Sequence, residues 1–256
     1  MAALKLSACI EMVFGNEPDF VKRIDLSADA GLPAFEFWGW GGQDLPAIRK
    51  RADDRGLTIA AFGIQSQGAL VDPANTEKWV AGAQESIEKA VEFRVPTAIV
   101  TTGNEMALPR ADQHAAIVAG LRGLAPAAEK AGINLVLEPL NILVDHRGYY
   151  LSTSDEGFEI VEQVGSPRVR LLYDIYHQQI TEGNLIQRIA EHIGLIGHFH
   201  CADVPGRHQP GTGEIDYQNV FAAIAKTDYA GFIGLEYSPI GDHTAAVRET
   251  LRLAGL

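Results

Sequence analysis

Four polar residues, each at the end of a short apolar run, constrain this chain most: Glu138, Asp174, His200 and Glu236. They are spaced 36, 26 and 36 residues apart along the chain. Each run is typical of a buried parallel β-strand, and a strand–helix unit of roughly 30 residues returns a chain to the same rim of a barrel. The pattern therefore predicts that the four side chains meet at one rim.

Eight apolar runs of this kind, separated by segments with helical periodicity, predict a (β/α)₈ TIM barrel. We expect a single domain spanning residues 1–256, because such barrels commonly need about 250 residues. The main alternative, an open doubly wound sheet, would carry a Gly-rich phosphate loop after its first strand, and the sequence has none there. The predicted strands cover residues 4–13, 34–38, 57–62, 97–102, 133–138, 169–174, 195–200 and 232–236.

The net charge of −12 disfavours nucleic acid and anionic membrane surfaces as partners, because both require clustered Lys and Arg. No apolar run approaches the roughly 20 residues that cross a bilayer. Glu11 interrupts the first apolar stretch too early for a secretory signal. Two cysteines, Cys9 and Cys201, cannot form a disulfide framework, so we expect buried free thiols and a cytoplasmic location.

Three carboxylates and one imidazole at one rim predict a divalent metal site. Without a compensating cation, repulsion between the carboxylates would raise the pKa of at least one of them. Mn²⁺ or Mg²⁺ suits this donor set best and Co²⁺ is possible, whereas structural zinc favours thiolates. For any one residue, a solvated strand-end acid or a hydrogen-bonded core histidine is the alternative, and the joint placement of all four favours the metal.

Two further histidines lie close to the predicted ligands. His177 follows Asp174 by three residues and should lie over the rim, where it could hydrogen-bond a substrate hydroxyl or carbonyl; a helix-capping or surface histidine is the alternative. His198 precedes His200 by two residues and therefore points to the same side, one layer deeper. We expect it to orient a ligand rather than to bind the metal.

A long loop rich in Gly and Pro follows His200 and carries Arg207. The planar guanidinium could bind a substrate carboxylate or vicinal hydroxyls, because loops at this rim carry function in barrels. Alternatively, Arg207 pairs with Asp203 or Glu214 to hold the loop in shape. Three aromatic residues could wall the apolar side of a sugar pocket, although such residues more often belong to the core: Phe14, Trp38 and Trp40.

Several stretches of the chain resemble hydroxypyruvate isomerase and its relatives, which belong to the xylose-isomerase-like barrels together with D-tagatose 3-epimerase. The resemblance covers most of the chain in order, and its most specific part is the Arg207-His208 loop that ends in Gly-Glu-Ile-Asp-Tyr. The matching stretches are residues 137–141, 173–177, 182–185, 205–210 with 213–217, and 234–237.

The resemblance implies a metal-dependent aldose–ketose isomerase or ketose epimerase that acts through an enediolate. It assigns catalytic roles to Glu138 and Glu236 and substrate-binding roles to His177 and Arg207. Relatives associate as dimers or tetramers, so it also implies a homo-oligomer. The metal ligands that it implies are Glu138, Asp174, His200 and Glu236.

Two departures from the family pattern affect the substrate. His200 stands where hydroxypyruvate isomerases carry Gln, and Val144 stands where the epimerases carry a second acidic residue. We expect interconversion of hydroxypyruvate and tartronate semialdehyde, or of a similar small keto acid or sugar, and the alternative is a ketose 3-epimerase. A non-catalytic sugar-binding barrel subunit is disfavoured by the retention of both glutamates, and an endonuclease by the negative charge.

Overall fold

A computed structural model describes residues 3–256 of the chain. Parallel strands pair in chain order, and the eighth pairs with the first, so the sheet closes into a barrel. The strands are β1 (Leu6–Cys9), β2 (Ala34–Gly39), β3 (Thr58–Gly63), β4 (Thr97–Val100), β5 (Asn134–Leu137), β6 (Val169–Asp174), β7 (Ile196–Cys201) and β8 (Ile233–Leu235).

Helices connect successive strands and bury one face each against the barrel or a neighbouring helix. Two helices, rather than one, separate β6 from β7, and the first of them begins directly after Asp174. The helices are α1 (Phe20–Ala30), α2 (Leu45–Arg55), α3 (Thr76–Glu92), α4 (Arg110–Ala131), α5 (Ser154–Val164), α6 (Ile175–Thr181), α7 (Leu185–His192), α8 (Tyr217–Ala225) and α9 (His243–Leu253).

The predicted (β/α)₈ barrel is confirmed, and each of the eight predicted runs overlaps a strand. The first strand is shorter than the predicted 4–13, because the chain turns immediately after Cys9. The backbone N–H groups of Met12 and Val13 both donate to the carbonyl oxygen of Cys9, at 3.1 and 2.9 Å. Val13 is fully buried although it lies outside the strand, so its apolar character reports burial rather than β-structure.

The inside of the barrel has an apolar half and a polar half. On β3 to β6, the apolar half is a separate buried cluster of small and branched side chains. On β1, β2 and β7, alternate residues are buried polar ones, because successive strand residues point to opposite faces. The apolar cluster is Ala61, Ile99, Val136 and Leu172; the buried polar residues are Ser7, Glu36, His198 and His200.

Two smaller expectations bear on the chain as a whole. Cys9 and Cys201 are both buried and free, as predicted. Within residues 3–256, no helix is both long and apolar enough to cross a bilayer.

Aromatic packing outside the barrel wall generates a stability prediction. Phe37 is buried and its ring centroid lies 5.9 Å from that of Phe20 and 5.8 Å from that of Phe62. Phe37→Ala should lower the free energy of unfolding by about 3–5 kcal/mol, because it leaves a cavity in close-packed surroundings. Val91→Ala on α3, where the side chain is 53% exposed, should change it by about 0.5 kcal/mol or less. Chemical denaturation followed by circular dichroism measures both, and similar effects would contradict this packing.

Candidate active site

The structure brings the four predicted metal ligands together at the carboxyl ends of the strands. Glu138 directly follows β5, Asp174 ends β6, His200 lies near the end of β7 and Glu236 directly follows β8. Each side chain is buried and offers one nitrogen or oxygen ligand atom, and these atoms all lie within 4.8 Å of one another. Barrel closure therefore gathers residues almost 100 positions apart in sequence into one cluster.

Opposing charges decide the protonation of this cluster. Burial alone would lower the pKa of His200, but the carboxylates of Glu236 and Glu36 outweigh it and raise the pKa well above its usual value. Burial raises the pKa of Asp174, and the nearby Glu236 carboxylate adds to this effect. For Glu236, the positive charges of His200 and Arg207 outweigh burial and hold the pKa well below its usual range. Carboxylates brought this close together in a buried site are stabilised by nearby positive charge, here from His200 and Arg207.

His177 is buried beside the cluster rather than at the surface. Its Nδ1 accepts from the backbone N–H of Asn141 at 3.3 Å and lies 2.6 Å from the Asn141 side-chain nitrogen. Burial lowers the pKa of His177 to about 3, so the ring is neutral and its proton is assigned to Nε2. That Nε2 lies 3.5 Å from Asp174 Oδ2 and has no hydrogen-bond partner in the described chain. The nitrogen is buried beside Asp174, and His177 is not among the residues that line the cavity above the cluster.

Arg207 forms an ion pair with Glu236 through Nη2, and its Nε donates to the Glu236 carbonyl oxygen at 3.4 Å. Its guanidinium carbon lies 5.3 Å from the centre of the Tyr176 ring. The alternative pairings with Asp203 or Glu214 are wrong, because across residues 3–256 its only carboxylate partner is Glu236. The guanidinium therefore faces the cluster and not its own loop.

The Asp203 carboxylate, instead of Arg207, holds the loop after β7. It is fully buried at the start of the loop. Each of its two oxygens accepts from two backbone N–H groups at 2.8–3.1 Å, which gives the loop a common anchor. The four donors are Val204, Gly211, Gly213 and Ile215.

A cavity of about 360 Å³ opens above the cluster. Its polar side includes Glu138, His200, Arg207 and Glu236, while much of the opposite side is apolar. The remaining lining residues are Met12, Trp38, Gly63, Ile64, Ile99, Thr101, Leu140 and His146.

Of the three aromatic residues considered for a pocket wall, Trp38 lines this cavity. Its indole Nε1 donates to Glu236 Oε1 at 2.7 Å, so it also orients that carboxylate. The expectation fails for the other two, since Phe14 is buried in the core and Trp40 packs against the core and donates to Ser86 at 3.0 Å. A larger cavity of about 700 Å³ lies at the opposite end of the barrel and contains none of the predicted site residues.

Sequence reasoning missed three residues that hold the site in place. Glu36 on β2 lies inside the barrel, and its Oε1 is 2.7 Å from His200 Nε2. Asn141 holds His177, as described above. Glu11 accepts from the backbone N–H of Trp38 through both oxygens, at 3.1 and 3.2 Å. Glu36 could have been recognised as the one charged residue within the apolar run of β2. It was missed because only polar residues at strand ends were considered.

Anchoring by Asp203 generates a testable prediction. In Asp203→Asn, an NH₂ group replaces one of the two carboxylate oxygens. Because NH₂ donates and cannot accept, the two backbone N–H groups that bonded to that oxygen lose their acceptor. We expect faster hydrogen exchange across residues 204–215 and a loss of about 1–3 kcal/mol in unfolding free energy. Asp242→Asn is the matched control, because Asp242 caps α9 and Asn caps a helix equally well. Unchanged exchange in Asp203→Asn would show that the carboxylate does not hold the loop.

Comparison with known proteins identifies the family to which the chain belongs. Residues 24–254 match the family described as xylose isomerase-like TIM barrel. The chain is 30% identical to hydroxypyruvate isomerase of Escherichia coli (strain K12), covering 96% of this chain and 97% of that protein. It is also 30% identical to 2-oxo-tetronate isomerase of Pectobacterium atrosepticum, with 93% of each covered.

Among solved structures, AP endonuclease, family 2 from Brucella melitensis superposes with a TM-score of 0.92 at 25% identity, covering 97% of this chain and 98% of that one. The two curated isomerases, matched over nearly their whole length, confirm the expectation of an isomerase-type enzyme. The chain belongs to the xylose isomerase-like TIM barrel family.

Proposed function

We propose that this protein is a divalent-metal-dependent isomerase of small keto acids, interconverting hydroxypyruvate and tartronate semialdehyde or a closely similar pair. One observation carries the proposal: the ligand atoms of two glutamates, an aspartate and a histidine lie within 4.8 Å of one another, and the glutamates and the histidine line a cavity. The similarity to hydroxypyruvate isomerase and 2-oxo-tetronate isomerase over nearly the whole chain supports the substrate class.

The residues present fit a metal ion. Three carboxylates and one imidazole are the donor set that Mn²⁺ and Mg²⁺ accept, with Co²⁺ also compatible. Glu138, Asp174, His200 and Glu236 would hold the ion. When bound, a divalent cation would supply Lewis-acid polarisation of the substrate carbonyl and positive charge beside the oxygens where negative charge develops.

The glutamates differ in how strongly their surroundings stabilise the anion. Glu236 accepts from Trp38, pairs with Arg207 and lies 3.4 Å from His200. The side chain of Glu138 has His200 as its only hydrogen-bond partner in the described chain, at 3.2 Å. Because Trp38 and Arg207 already hold Glu236 in place, Glu138 is the carboxylate with fewer protein partners, and we assign removal of the substrate proton to it. Glu138 then gives the same proton to the neighbouring carbon, and the ionised Glu236 carries the hydroxyl proton from one substrate oxygen to the other, so both transferred protons are accounted for.

Two donors remain for the substrate. The Nε2–H of His177, buried beside Asp174 with no hydrogen-bond partner among residues 3–256, is the donor that we assign to a substrate hydroxyl or carbonyl oxygen. Arg207 carries a positive charge at the cavity wall, where it can receive a substrate carboxylate. A cavity of about 360 Å³ with one charged side and one apolar side suits a keto acid of three or four carbons.

Epimerisation at carbon 3 of a ketose is the second candidate. It is favoured by the presence of two glutamates in one cluster, because acids on opposite faces of a carbon can remove and return its proton with inversion. Against it, Val144 stands where the epimerases carry an acidic residue, and its side chain is 63% exposed. That position offers no hydrogen bond to a sugar hydroxyl.

Two other activities have less support. The name of the Brucella melitensis protein belongs to an endonuclease family, but a net charge of −12 opposes binding of a phosphate backbone. A sugar-binding subunit without catalysis would have no need of both glutamates in the cluster.

Glutamine substitutions test the proposal. Glu138→Gln and Glu236→Gln should each lower kcat by at least about 100-fold with the fold intact, because each removes a group that moves a proton. Turnover of hydroxypyruvate by Mn²⁺-loaded protein is followed by proton NMR in D₂O, and removal of the metal with a chelator should abolish it. Glu182→Gln is the matched control, since that side chain is also buried but bonds to Ser154 away from the cluster.

The same spectra distinguish the candidates. Migration of the carbonyl supports the isomerase, whereas inversion of a ketose with unchanged connectivity supports the epimerase. Near-normal rates in either glutamine variant would refute the proposed roles. Binding of keto acids without turnover by metal-loaded wild-type protein would support the sugar-binding alternative.

A further inference from the structure

Beneath the four ligands lies a second buried group, which we call the Glu36 cluster: Ser7, Glu36, His198 and His200. Glu36 Oε1 is 2.7 Å from His200 Nε2, and Glu36 Oε2 is 3.0 Å from His198 Nε2. The Ser7 hydroxyl donates to Oε2 at 2.7 Å. All four residues are at most 2% exposed, and the cluster shares His200 with the four ligands above it.

Glu36, His198 and His200 have the composition of a metal site, but their spacing indicates hydrogen bonds. Two ligands at about 2.1 Å from one ion, at right angles or wider, are at least about 3 Å apart. The 2.7 Å between Glu36 Oε1 and His200 Nε2 is shorter than that and matches a charge-assisted hydrogen bond. The Ser7 hydroxyl also occupies a lone pair of Oε2 that an ion would need.

We propose that Glu36 is a positioning residue that fixes the tautomer and the orientation of His200. When Nε2–H of the neutral ring donates to Glu36, the proton stays on Nε2, and the lone pair of Nδ1 is free and directed at the other ligands. Nδ1 lies 3.2 Å from Glu138 Oε1 and 3.4 Å from Glu236 Oε2. A carboxylate behind a metal-bound imidazole also raises its basicity and hence the metal affinity. This inference rests on the proposed metal-dependent function.

Neighbouring strands leave space for this contact. Gly234 on β8 pairs in register with His200 on β7. A Cβ atom at Gly234 would lie 2.3 Å from Glu36 Oε1 and 2.6 Å from His200 Cδ2, closer than van der Waals contact allows. With a glycine at this position, Glu36 and His200 can meet inside the barrel.

Titration of metal-free full-length protein with Mn²⁺, followed by the electron paramagnetic resonance signal of free Mn²⁺, tests the inference without relying on activity. Glu36→Gln should weaken Mn²⁺ binding by about 10–100-fold, the typical effect of losing a group that supports a ligand. Glu182→Gln should bind as the wild type does. The wild type should bind one Mn²⁺ per chain.

Each result is decisive. Equal Mn²⁺ affinities of the wild type and a folded Glu36→Gln variant would overturn this inference alone. It would also be overturned if the wild type bound two Mn²⁺ ions per chain and Glu36→Gln bound one, because Glu36 would then be a metal ligand. A wild type that binds no Mn²⁺ would overturn the proposed function as well. Should Glu36→Gln not fold, ¹⁵N NMR of the histidine rings in Mg²⁺-loaded wild type replaces it: a proton on Nε2 of His200 is expected, and a proton on Nδ1 would overturn the inference.

Discussion

Three buried carboxylates that share one imidazole are the constraint around which the rest of this molecule is organised. Glu138, Asp174 and Glu236 lie with His200 in a space only a few ångströms across, and burial alone would raise the pKa of Asp174 and of Glu236. A fold can hold such a group only if positive charge and hydrogen-bond donors surround it. Arg207 provides that charge, while Trp38 and the cation that we propose complete the set.

The barrel places the charged site and the apolar packing that stabilises the fold in different regions. Apolar side chains on β3 to β6 fill one half of the interior, and the layer between barrel and helices holds most of the hydrophobic core. The other half, on β1, β2 and β7, is polar and fully hydrogen-bonded through Glu36. Buried polar groups are tolerated there because each has a partner, and they set the geometry of His200 from below.

The sequence allowed the barrel and the gathering of the four ligands to be predicted, because both follow from strand periodicity and the parallel direction of the strands. Residues inside a strand were harder to recognise. Glu36 contributes through contacts with β1 and β7, and these depend on register and inter-strand pairing that no local pattern encodes. Likewise, Arg207 could be placed on the correct loop, but its ion pair with Glu236 could not be predicted. The alternative pairing with Asp203 is wrong because that carboxylate accepts from backbone N–H groups of the loop.

The location of the metal tests the account most directly. Crystals grown with Mn²⁺ and measured at the manganese absorption edge should show one anomalous peak, surrounded by Glu138, Asp174, His200 and Glu236. No peak at that position in the presence of excess Mn²⁺, or a peak between Glu36 and His198 instead, would contradict it.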